Sequence, residues 1–172
     1  MAKHIATVPL KYGLAGGGFS ILLFVILWML DINPLATNRI YDFILIPLFV
    51  FFSVKEYRDY RNGGVLHFWE GMVTGTLTFV CLALVSALFI WLFLEFAHTS
   101  LLQDYIDTRV GMIQENKETL IDKLGEQTVA KSLDELPHTS PFKLGLDDFL
   151  KKVFIGMFFT AVVALVLRKH AI

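Results

Sequence analysis

The chain is poor in the residues that cross-linking and most chemistry require. Its 172 residues include one cysteine and five histidines, and only 18% are charged. A lone cysteine excludes an internal disulfide and a multi-cysteine metal site. Cys81 lies inside an apolar run and reads as a small buried hydrophobe. The net charge of −1 excludes a global basic field, so no nucleic-acid partner is expected. Gly16-Gly17-Gly18 follows no strand pattern and precedes no Gly-Lys-Ser/Thr, which excludes a phosphate loop there. No convincing repeat or low-complexity tract is present.

The excess is apolar. The hydrophobic share is 55% with 16 phenylalanines, the mean hydropathy is +0.60, and a usual apolar share is about 45–50%. The excess is gathered into long runs, which points to a bilayer rather than a soluble core. Four spans are predicted, at about residues 12–30, 40–57, 66–96 and 149–167, within one membrane domain covering 1–172. The first run exceeds the about 7–15 apolar residues of a signal peptide and no small-x-small site follows, so a retained helix is expected. Pro47 should kink the second span. The third is longer than a hydrocarbon core of about 30 Å and should tilt or protrude.

Residues 98–145 separate the last two spans. Leu102, Ile106, Val110 and Ile113, then Leu120, Ile121 and Leu124, recur at helical spacing. Ser100 with Gln103 has the spacing of a capping box, and Gly125 is a natural stop. A second short helix carries Val129, Leu133 and Leu136, and Ser140-Pro141 suits the start of the last helix. The predicted fold is therefore all-α, an integral membrane protein of four transmembrane helices with an amphipathic helical insert between the third and fourth. Lys3, Lys11, Lys55, Arg58, Arg61, Arg168 and Lys169 flank helix ends on one side, against Arg39 on the other. Weighting these short segments over the long one makes both termini cytoplasmic and the insert extracytoplasmic.

Few residues suggest chemistry. His67 and Glu70 share one helix face at i and i+3, a geometry that can chelate a metal or relay a proton. The pair is incomplete as a metal centre, which draws ligands from several helices. Depth favours a boundary role. Taking Leu82 as the centre of the third span, Glu70 lies about 18 Å away, against a half-thickness of about 15 Å. Asp42 lies near the start of the second span, where a helix N-terminus favours a carboxylate. Glu70, His67 and Asp42 are thus candidates for a proton or partner site, read first as interfacial structure. Gly71 and Gly75 form a GxxxG spacing, echoed by Gly13 and Gly17, and are assigned to helix packing. Lys55, Arg58, Arg61 and Trp69 read as a juxtamembrane anchor, with Lys55 and Asp59 spaced to pair.

Two stretches carry a resemblance, Lys55-Glu56-Tyr57-Arg58-Asp59-Tyr60-Arg61 and Phe68-Trp69-Glu70-Gly71-Met72-Val73-Thr74-Gly75. Together with Tyr105-Ile106-Asp107 and the helix around 149–156, they resemble a family of small Bacteroidota inner-membrane proteins known only as a domain of unknown function, DUF4199. The resemblance spans nearly the whole chain and implies four spans with a charged helical insert. It implies a bacterial inner-membrane location and supplies no catalytic motif. The expectation is a non-enzymatic accessory or assembly subunit of a membrane complex, with no cofactor and no metal. Its partners would be the lipid bilayer and other inner-membrane proteins or further copies of itself. The alternative is a small transporter or lipid-handling protein using the boundary acids.

Overall fold

A computed structural model describes residues 6–35, 40–96 and 99–169, the side chains of 40–43 and 99 excepted. It is all-α, with no strand among the described residues. Helix α1 (Thr7–Met29) leads to α2 (Ile40–Glu56), which passes into a π-helical turn, Tyr57–Arg61. Then come α3 (Phe68–Phe96), α4 (Thr99–Glu115), α5 (Lys117–Leu124), α6 (Glu126–Glu135), a 3₁₀ turn (Leu136–His138) and α7 (Pro141–Leu167). Helices α1, α3 and α7 are long and apolar enough to cross a membrane. The chain is a helical membrane protein.

Helix α3 is the axis of the bundle, with α7 and α1 against it and α2 touching all three. The contact with α7 is antiparallel and advances four residues at a time. Gly71 meets Ala164, Gly75 meets Thr160, and Phe79 meets Gly156. Small residues every fourth position put two backbones in near contact. At one end the seam is closed by a reciprocal backbone pair, Leu66 N–H to Lys169 C=O at 2.8 Å and the reverse at 3.0 Å. Gly63 and Gly64, at φ 60° and 81°, make the turn that brings Leu66 to that position.

The helix boundaries follow local chemistry. Ser140 accepts the Lys143 N–H at 3.2 Å with Pro141 in the first helical turn, the predicted start of α7. Gly125, at φ 83°, ends α5 as expected. Ser100, expected as a cap, instead lies inside α4, and Gln103 donates to Asp107 at 3.0 Å. Pro47 is held within α2.

Two apolar cores result. One, at the end where α3 begins, joins Val8, Ile46, Val50, Phe79, Leu82 and Val163. The other, at the opposite end, joins Phe24, Ile90 and Leu94 to Leu101, Tyr105 and Ile106 of α4. Through the second core the α4–α6 region sits as a cap on the bundle. Between the two cores lies a layer that is not apolar.

Candidate functional site

That layer holds a buried polar knot to which, among the described residues, three helices contribute. Asp148 and Lys152 of α7 are 4% and 2% exposed; they meet Ser86 of α3, which pairs in turn with Ser20 of α1, each serine 3% exposed. The Lys152 ammonium donates to Asp148 Oδ1 at 3.0 Å, to Asp148 Oδ2 at 2.9 Å and to Ser86 Oγ at 2.6 Å. Ser86 passes its own proton to Asp148 Oδ2 at 3.2 Å. Ser20, 3.4 Å from Ser86, must then be the donor of that pair. A Lys–Asp pair at i and i+4 is ordinary on a wet helix face. Removing both charges from water costs several kcal/mol per ion, and only dense hydrogen bonding offsets it.

The knot lies within the apolar zone. Along α3 the uncharged stretch runs from Glu70 to Glu95, and Ser86 is about 24 Å from the first and about 14 Å from the second. Asp148 and Lys152 occupy the same four-residue stripe as Gly156, Thr160 and Ala164, the stripe that packs on α3. Their exposed neighbours Asp147 and Lys151 pair at 2.5 Å on another face of α7. The sequence reading began the last span near residue 149 and assigned no site role to Asp148 or Lys152. The signal for the buried pair was its phase with the small-residue stripe.

The predicted site residues fall elsewhere. His67 and Glu70 are brought together at the start of α3. There Glu70 Oε2 receives the His67 backbone N–H at 2.9 Å, Asn62 Nδ2 at 2.9 Å and His67 Nδ1 at 3.2 Å. With His67 immediately before the first helical residue, this is the returning half of a capping box. The side chain of Asp42 lies outside the described residues; α2 begins at the cap end, away from Glu70.

Gly13 and Gly17 face α3, where an added Cβ would meet Cys81 Cβ at 2.6 Å and Val85 Cβ at 2.7 Å. Among the anchor residues, Arg58 binds Asp59 at 2.7 Å and reaches the Leu167 carbonyl at 3.4 Å. Its guanidinium holds the Asp59 carboxyl below its ordinary range. Asp59 therefore pairs with Arg58 where Lys55 was expected. Trp69 is 73% exposed beside this cluster, and Lys55 and Arg61 are also exposed. Lys11 and Tyr12 of α1 both bond Glu56, each at 2.7 Å, and tie α1 to the end of α2.

A groove of about 910 Å³ opens between the cap and the first turns of α7. Basic side chains from α4, α5 and α7 line it, among them Arg109, Lys123 and Lys143. Among the described residues no three His, Cys, Asp or Glu side chains converge as a metal site would require.

A family profile described as "Protein of unknown function (DUF4199)" matches residues 11–169. Searches of curated proteins and of solved structures find no match.

Proposed function

The chain belongs to that family, and we propose that it is a four-span bacterial inner-membrane protein that acts by association. It would serve as an accessory or assembly subunit of a membrane complex, with both termini cytoplasmic and an amphipathic extracytoplasmic cap. The fourth span would be α2. Its 17 residues rise about 25 Å, and Ile46, Val50 and Val54 are fully buried against the other spans.

The polar knot carries this reading. The ionic groups inside the spans bond to one another and to Ser86, which Ser20 joins in turn, so they act as a lock on the packing of α1, α3 and α7. A buried polar network of this kind selects one arrangement of its helices. The result is a rigid frame that presents the cap. The alternative, a transporter or lipid-handling protein built on Asp42, Glu70 and His67, draws less support because Glu70 is spent on the α3 cap.

Extraction in native-membrane nanodiscs, followed by mass measurement and identification of the contents, tests the proposal. A reproducible second protein or a defined homo-oligomer is expected. A single copy without protein company, in nanodiscs and in mild detergent alike, would contradict it.

A further inference from the structure

We propose that the groove under the cap is a binding site for one anionic membrane phospholipid. Its headgroup would lie among the basic residues and its acyl chains along α7. The groove is within the usual ligand-pocket range of about 300–1,000 Å³.

Four cations, Arg109, Lys123, Lys143 and Lys151, line the groove against two acids, Glu135 and Asp147. Lys151 is paired with Asp147, and Lys143 lies 3.9 Å from Glu135. The excess positive charge therefore belongs to the other two. Arg109 rests against the Tyr105 ring, 5.5 Å from its centroid, which braces the guanidinium without neutralising it. Lys123 has no acidic partner among the described residues. A phosphodiester bearing one negative charge offsets part of this excess of two.

The source of the phosphate follows from the groove's floor. Leu146 and Leu150 line the groove and are 45% and 57% exposed. On the same side of α7 the exposed apolar stripe continues through Phe154, Met157, Phe158 and Leu165. These residues run from the groove into the membrane-crossing part of the helix. A soluble anion would have no use for such a stripe, whereas two acyl chains would cover it. The groove thus joins basic side chains to an exposed apolar stripe of α7, the profile of a lipid rather than of a free phosphate.

The lipid site rests on the groove and not on association with other proteins, so either proposal can fail alone. The test is equilibrium binding of fluorescent phosphatidylglycerol to the full chain in neutral detergent, with phosphatidylcholine and glycerol 3-phosphate as competitors. Saturable binding of one phosphatidylglycerol per chain is expected, at least tenfold tighter than phosphatidylcholine, with no displacement by millimolar glycerol 3-phosphate. Replacing two surface cations should weaken it roughly thirty-fold in the Arg109→Gln/Lys123→Gln variant, at about fivefold per charge. Phosphatidylcholine binding should be unchanged.

Equal affinity for the two lipids would overturn the site, as would unchanged binding in a folded variant. Displacement by glycerol 3-phosphate would overturn the lipid as occupant. Should the variant fail to fold, a salt series on the parent chain decides. Affinity for phosphatidylglycerol must fall between 50 and 500 mM salt, as surface charge screening requires on the order of a 10 Å Debye length at 0.1 M. A flat response would refute the proposal.

Discussion

Replacing Lys152 by methionine is the sharpest perturbation of this fold. The new side chain fills similar space, but Asp148, 4% exposed, loses the ammonium that reaches both of its oxygens. Ser86 still donates to it at 3.2 Å. Breaking a buried pair by removing one partner costs about 3–5 kcal/mol. For a chain of this length each kcal/mol moves the midpoint by about 2–4 °C, so a drop on the order of 10 °C is expected. Removing both charges, as Asp148→Leu with Lys152→Met, takes the carboxylate away together with its counter-ion. Such replacements are neutral or stabilising by about 1–4 kcal/mol, less about 1 kcal/mol for the bonds Ser86 gives up. The double variant should therefore recover most of the loss, so the two single costs together should exceed the cost of the double by several kcal/mol. Thermal unfolding in detergent, read for the parent, both singles and the double, measures that coupling. Additive single effects, or a silent Lys152→Met, would refute the knot as a coupled buried pair.

Further substitutions probe the seam and the helix start, each read by the same unfolding measurement. Gly156→Ala places a methyl 2.4 Å from Phe79 Cγ and should cost about 1–3 kcal/mol. Gly18→Ala meets nothing within 4 Å and should be neutral or stabilising by up to about 1 kcal/mol. Thr160 Oγ1 is buried without a hydrogen-bond partner, so Thr160→Val should stabilise by about 1 kcal/mol or more. Glu70→Ala removes the acceptor of three donors at the start of α3 and should cost about 1 kcal/mol. Glu70→Gln should retain part of that, because its amide oxygen still accepts.

Much of this fold is legible from apolar run length and punctuation. The run at 12–30 became α1, Thr7–Met29, and the run at 66–96 became α3, Phe68–Phe96, because long uninterrupted hydrophobicity leaves few alternatives. Gly125 and Ser140-Pro141 marked helix ends because their backbone preferences are local. The candidate site was less legible, because it depends on which faces meet. Lys152 next to Lys151 reads as a charged boundary until the stripe shared with Gly156, Thr160 and Ala164 is traced. Ser20 and Ser86, far apart in the chain, gain meaning only from the packing of α1 on α3. The Lys55–Asp59 expectation failed for a similar reason. The chain turns π-helical from Tyr57, and Arg58 holds Asp59 while also reaching the end of α7.

The cap's role depends on which side of the membrane it occupies, and on the knot's being sealed below it. Single cysteines placed at residues 123, 62 and 86 in a Cys81→Ala background, exposed to a membrane-impermeant maleimide, test both together. In intact cells position 123 should react, position 62 should react only after the membrane is opened, and position 86 should stay protected in both. Labelling of position 62 but not 123 in intact cells, or of position 86 in either state, would contradict the account.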